Sequence, residues 1–169
     1  MKKLCLLVVV VLTLTGCGKQ ENFETMSDQY EMPESAQAQQ TSMILQQEAV
    51  SVGLETGEET IYICDDFCAM VQTFSAGDLD ATIRSITGYP KEKLMVMQHT
   101  TDGITSYECV WASAGEGGDQ VGRCLILDDG NHHYALSVMA DAATAGQLTE
   151  TWQLLFDSFA IGQPESTKG

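Results

Sequence analysis

Four cysteines carry the most chemistry in this 169-residue chain, and each pair of them brackets a turn. Cys64 and Cys68 flank Asp65-Asp66-Phe67, while Cys109 and Cys124 stand on either side of Gly115-Glu116-Gly117-Gly118. Thiols so placed can form a disulfide, a redox couple or a soft-metal site. The redox use is disfavoured at the first pair: the spacing is not the two-residue spacing of thioredoxin-like motifs, and two adjacent carboxylates oppose thiolate formation. Structural bonds are the expectation, and hairpin geometry selects the partners. If Cys64 faces Cys68, then Ile63 faces Ala69, Tyr62 faces Met70 and Ile61 faces Val71. Centring the second hairpin on Glu116-Gly117 sets Cys109 opposite Cys124. Directly opposed residues have Cα atoms about 4.5 to 5.5 Å apart, within disulfide reach.

The remaining polar clusters argue against catalysis. His132 and His133 are adjacent, so on a strand they point to opposite faces and cannot ligate one metal together. Asp65-Asp66 and Asp128-Asp129 fall in expected turns, where hydration keeps carboxylates ordinary and their side chains bond the local backbone. Gly115 to Gly118 precedes neither a helix nor a lysine that would hold phosphate. No serine sits in a Gly-x-Ser-x-Gly elbow. The expectation is a non-enzyme with no metal and no cofactor.

The start of the chain sets the expected compartment. Lys2 and Lys3 precede an apolar run from Leu4 to Leu14, the length of a signal-peptide core and short of the roughly 20 residues that span a bilayer. Leu14-Thr15-Gly16-Cys17 then looks like a bacterial lipobox, in which Cys17 is acylated and becomes the new N-terminus. Such a chain is exported to an oxidising compartment and held at the extracytoplasmic face of the cell membrane by lipid at Cys17. Loss of Lys2 and Lys3 leaves the mature chain more acidic than the −16 of the whole sequence. That charge excludes nucleic acid and points to a protein or envelope partner that is basic or cation-bridged.

The elements that must position these residues follow in order. After a leader over 1–16, residues 17–42 are rich in Gln, Glu and Ser without apolar period and read as a disordered tether. A single α+β domain spans 43–162, and a disordered tail spans 163–169. Strands are expected over 49–54, 60–64 and 68–74, then a helix with Ser75 and Asp78 as a capping box, a Leu79, Ile83, Ile86 stripe, and Gly88 with Pro90 at its end. From Lys93 onward, four alternating strands form a meander whose turns are Asp102-Gly103, Gly115 to Gly118 and Asp129-Gly130. Centring the last turn on Asp129-Gly130 pairs Ile126 with His133 and Leu125 with Tyr134. A second helix closes the domain, with Thr144 and Gln147 as capping box and Leu148, Trp152, Leu155, Phe156 and Phe159 as its apolar stripe. The architecture is an antiparallel β-meander sheet covered by two helices.

Val110-Trp111-Ala112, Gly122-Arg123, Asp128-Asp129-Gly130 with His133-Tyr134, and the run from Trp152 to Ile161 resemble the PsbP-like and DcrB-like α/β sandwich over about Met43 to Ile161. The stretch also resembles lipoproteins of anaerobic Gram-positive bacteria. The resemblance implies an extrinsic binding or assembly module of a membrane complex, with no shared catalytic residues. A small-ligand or cation site, between the sheet and Trp152 or among the acidic turns, is the alternative.

Overall fold

The computed structural model describes residues 37–45, 51–55, 59–115 and 117–162. Cys17, the leader over 1–16, the tether as far as residue 36 and the tail over 163–169 lie outside the described residues.

Two strands of two residues, β1 (Thr41–Ser42) and β9 (Ala160–Ile161), pair with each other. Between them in sequence lie β2 (Ser51–Glu55), β3 (Glu59–Ile63), β4 (Cys68–Ser75), β5 (Val96–Thr101), β6 (Ile104–Gly115), β7 (Gly118–Asp128) and β8 (His132–Asp141). These seven form one antiparallel sheet in the order β2-β3-β4-β8-β7-β6-β5. It is therefore two meanders, joined where β4 pairs with β8 from Cys68 with Met139 to Ser75 with His132. The expected α+β class, an antiparallel sheet covered by helices, holds.

Helix α1 (Leu79–Thr87) follows β4, and a 3-10 turn over Lys91–Lys93 leads into β5. The C-terminal cover is a short α2 (Ala142–Ala145), a 3-10 turn over Gly146–Leu148 and α3 (Thr149–Ser158). Alternation along the strands divides the sheet's two faces. Tyr134, Leu136, Val138 and Ala140 of β8 face α3, packing with Leu125, Leu148, Trp152, Leu155 and Phe156. On the opposite face Ala135 joins Ile126, Cys124, Cys109 and Trp111 beneath Ile83 of α1. The central strands are thus buried on both faces.

The expected stripes are realised, but the caps differ. Ser75 ends β4, and Asp78 itself caps α1, its carboxylate accepting the Asp80 N–H at 2.9 Å. Gly88 closes the helix at φ 77°, a left-handed conformation that glycine adopts without Cβ strain. No capping box forms at the C-terminal cover: Thr144 donates to the carbonyl of Asp141, and α3 has no side-chain cap.

Two registers differ from expectation. In β3–β4, Ile63 pairs with Cys68, Tyr62 with Ala69 and Ile61 with Met70, a slip of one residue. In β7–β8, Leu127 pairs with Tyr134 and Ile126 with Ala135, because the turn closes as Asp129 to His132. The β6–β7 register is as expected, with Cys109 opposite Cys124.

Candidate functional site

The cysteines separate into two environments. Cys109 and Cys124 are 2% and 0% exposed, so nothing in solvent reaches them, and their Sγ atoms lie 3.0 Å apart as two hydrogen-bonded thiols. Their titration is shared: the bond to Cys109 and then burial push the Cys124 thiol far up, while accepting that bond brings Cys109 down. Beside them the Trp111 indole lies over Gly122, its direct cross-strand partner, where any Cβ would collide with the ring. That close approach explains the glycine inside a central strand.

Cys64 and Cys68 are not brought together in this way. The one-residue slip places Cys64 in the α3-side core and leaves Cys68 exposed on the other face; both are thiols. Ile63, not Cys64, lies opposite Cys68, so the two cysteines are not the directly opposed pair expected for a hairpin disulfide. Burial, then the neighbouring Cys68 and Asp65, raises the Cys64 thiol, which suits an inert core residue. Asp65 and Asp66 are exposed in the turn, as expected.

The two histidines do point to opposite faces. His133 is 3% exposed on the α1 side; Nδ1 is 2.8 Å from Thr82 Oγ1, and Nε2 is 3.7 Å from a carboxylate oxygen of Asp128. Both ring nitrogens therefore engage α1 or the turn. His132 leans on Tyr134 with ring centroids 5.8 Å apart. No cluster of three metal-ligating side chains occurs among the described residues.

Asp129 has a structural role the sequence did not disclose. Its carboxylate accepts the backbone N–H groups of Asn131 and His132, both at 2.8 Å, and the Tyr134 hydroxyl at 3.1 Å. The same hydroxyl accepts the Gln39 N–H at 3.0 Å, and the Gln39 amide donates to Asp129 at 3.3 Å. Burial works against the charge, but these bonds prevail and hold the carboxyl below its usual range. Tyr134 moves up, through burial and its bond to Asp129.

Gln39 belongs to a strap. Thr41 and Ser42 pair with Ile161 and Ala160, Gly162 N–H donates to the Gln40 carbonyl at 2.7 Å, and Ile44 N–H donates to Ser158 Oγ at 2.9 Å. Met43 and Leu45 pack onto the α3-side core. The strap thus includes Gln39 to Ser42, which precede Met43. The legible signal was the apolar Met43-Ile44-Leu45 facing the Phe159-Ala160-Ile161 run.

Trp152 is packed into the α3-side core: Phe67 meets its indole edge-on at 6.5 Å, and Trp152 is 5% exposed. A cleft of about 850 Å³ lies elsewhere, between the strap, β3, β4 and the start of α1, with Glu59, Thr60, Thr73, Asp78 and His132 among its walls. Apolar side chains are exposed on the two outer strands at the other side of the sheet. Met97 and Val110 are 59% and 53% exposed, and Met95, one residue before β5, is 84% exposed. Met97 pairs with Glu108 and Val110 with Arg123, on the face that α3 covers only over the inner strands. Glu108 and Arg123 form an ion pair at 2.8 Å, and Arg123 stacks over Phe156.

No helix among the described residues is long and apolar enough to cross a membrane. No family model matches the chain, and no curated protein matches it. Among solved structures it is similar to a protein of unknown function from Pseudomonas aeruginosa, at 11% identity and a TM-score of 0.46 over 78% of this chain and 89% of that one. It is also similar to LpqN of Mycobacterium tuberculosis, a protein involved in cell envelope biogenesis, at 9% identity and a TM-score of 0.45 over 76% and 87% of the two chains. A Bacteroides thetaiotaomicron protein aligns at 8% identity and 0.44, over 70% of this chain and 44% of its own length. These are likenesses of general architecture, and the reading of function rests on the chain's own residues.

Proposed function

We propose that the chain is an envelope lipoprotein, acylated at Cys17 and held at the extracytoplasmic face, whose single domain is a non-catalytic interaction module. The observation that carries this reading is the uncovered outer edge of the sheet. Met95, Met97 and Val110 are exposed together beside an edge strand, on a chain otherwise strongly acidic. Grouped apolar side chains of this kind mark association surfaces, whereas scattered ones do not. The polar side chains of His133 and Asp129 support it from the other direction, since both are engaged by the fold itself. Within this reading Cys109 and Cys124 form a disulfide on export, closing the β6–β7 hairpin before Trp111 and α1 seal the sulfurs.

The test is cross-linking on intact native membranes, recovery through this protein and mass spectrometry, with a Cys17→Ala strain as control. A recovered protein partner that is lost in the control supports an anchored module. Release of wild-type protein from membranes without detergent would defeat the anchor, and absence of any cross-link would defeat the module. A second reading is favoured by the cleft at the strap, whose carboxylates and hydroxyls suit a small cationic or polyhydroxylic ligand. Thermal stabilisation by such a compound, abolished by Thr73→Trp in the cleft wall, would support it.

A further inference from the structure

The two edges of the sheet are built differently, and the difference identifies what the outer one can hold. An edge strand offers a row of unpaired N–H and C=O groups, and proteins ordinarily blunt it with a bulge, a charge or a proline. At β2 the pairing is interrupted, with a register shift between Val52 and Glu55, and the strand ends on an acid. At β5 no such device is present. Its sequence Val-Met-Gln-His-Thr-Thr has no charged residue, proline or glycine, and all six residues keep unbroken register with β6, from Val96 with Cys109 to Thr101 with Ile104. Five of the six are exposed.

We propose that β5 pairs antiparallel with β5 of a second copy of this chain, about a twofold axis normal to the sheet, joining two sheets into one. This deepens, and rests on, the reading of the domain as an anchored interaction module. Such an axis requires one residue to face its own counterpart, so that matching faces of the two sheets stay on one side. With the axis at Gln98, Met97 lies opposite His99 of the second copy and Val96 opposite its Thr100. Met95, Met97 and Val110 of both copies then form one apolar strip along a single face. The ends are complementary in charge: Lys93 precedes β5 and Asp102 follows it, so antiparallel pairing brings the Lys93 end of each copy towards the Asp102 end of the other. Lys93 and Asp102 are both exposed and near the strand's two ends, as the pairing demands. β5 itself carries no Asp, Glu, Lys or Arg, so pairing it with a second copy of this acidic chain opposes no like charges along the strand.

Five paired residues of β5, Val96 to Thr100, and a short apolar strip make a small interface, below the roughly 1,200 Å² of a standard stable complex. Association is therefore weak between dissolved copies and becomes substantial when lipid anchors confine them to one surface, where effective concentration rises.

The experiment uses the lipidated protein in native membranes. Gln98→Cys, combined with Cys68→Ser to remove the exposed native thiol, is treated with a mild oxidant and compared with Gln120→Cys in the same background. Gln120 is exposed on β7, away from the edge. The expected result is a reducible dimer of twice the monomer mass from Gln98→Cys, formed at least tenfold faster than from Gln120→Cys. Adding Met97→Lys, which sets like charges near one another across the axis, lowers the dimer yield about tenfold. Its melting temperature should be unchanged, since Met97 is exposed. Equal rates at the two positions overturn the proposal. A Gln98→Cys adduct to a different protein also overturns it while leaving the interaction module standing; no adduct here and no partner by membrane cross-linking removes both.

Discussion

The two cysteine hairpins look alike in sequence and differ by one residue of register. In β6–β7 the turn closes so that Cys109 and Cys124 face each other in the core. In β3–β4 the turn closes as Cys64 to Phe67, with Cys64 N–H donating to the Phe67 carbonyl at 2.9 Å. Because side chains alternate, that single step sends Cys68 to the opposite face from Cys64. The deciding residue is Phe67. A three-residue loop with the cysteines opposed would strand its ring in the turn, whereas the observed turn leaves it 4% exposed against Trp152. Burying a phenyl ring is worth about 1.5–3 kcal/mol, enough to choose between two turns of similar length. Opposed thiols are thus a consequence of register, and register follows the largest apolar side chain near the turn.

Replacing that side chain is the strongest way to break the contrast. Phe67→Ala should cost about 3–5 kcal/mol in urea unfolding, because it removes the contact with Trp152 and leaves a cavity in the α3-side core. It also removes the residue that holds the slipped register. Thiol labelling of the folded variant should therefore show Cys64, protected in the parent, becoming reactive at a rate approaching that of Cys68. A loss below about 1 kcal/mol, with Cys64 still protected, would mean that the turn sequence sets the register without the ring.

The cysteines themselves give the next effect. In protein purified without reductant, Cys109→Ala should lose about 3 kcal/mol, the contribution expected for a disulfide closing a 15-residue separation, and reductant during unfolding should abolish most of the difference. Cys68→Ser should change stability by less than about 0.5 kcal/mol, since that thiol is exposed and bonds nothing in the core. Non-reducing peptide mapping is the direct check, with Cys109 joined to Cys124 and Cys64 and Cys68 recovered as thiols. Finding Cys64 joined to Cys68 would require the β3–β4 register to differ between the oxidised and reduced protein.

The same reasoning explains which parts of the fold were legible in the sequence. The α1 and α3 stripes, the meander order and the Cys109–Cys124 register were readable, because long alternating segments average over many residues and a two-residue turn offers few choices. The β7–β8 turn was misplaced by one residue, but a change of centre shifts the pairing by two and keeps every side chain on its face. His132 and His133 therefore diverge as expected despite different partners. The β3–β4 slip was of the damaging kind. The strap was missed because Thr41 and Ser42 carry no strand signal of their own, and their pairing depends on β9, more than a hundred residues later in the chain. The reading of Cys17 rests on its local motif alone and lies outside the described residues, and the outer edge strand became a candidate surface only once the strand order showed which strands lacked a neighbour.

The strap and the β7–β8 turn meet at Asp129, where an effect smaller than those of Phe67 and Cys109 should appear. Its carboxyl is held below the ordinary value of 3.8, so the folded state favours the ionised form more than the unfolded chain does. For a carboxyl shifted down, the stability gained is fully present above the unfolded value and is lost as pH falls through the folded one. Asp129→Asn keeps one acceptor for the Asn131 and His132 N–H groups but removes the charge that Tyr134 and Gln39 address. At neutral pH it should cost about 1 kcal/mol, the charged part of those hydrogen bonds. As pH falls below 3.8 and on through the lowered folded-state value, the parent carboxyl is itself protonated, and the difference between the two proteins should shrink towards zero. Because Tyr134 connects Asp129 to Gln39, the variant should also loosen the strap, read as faster amide exchange at Gln39 than at Ile44, whose N–H is held independently by Ser158. A gap between variant and parent that stays constant from neutral pH into acid would show that the Asp129 charge contributes nothing, and that neutral hydrogen bonds alone fasten the turn to the strap.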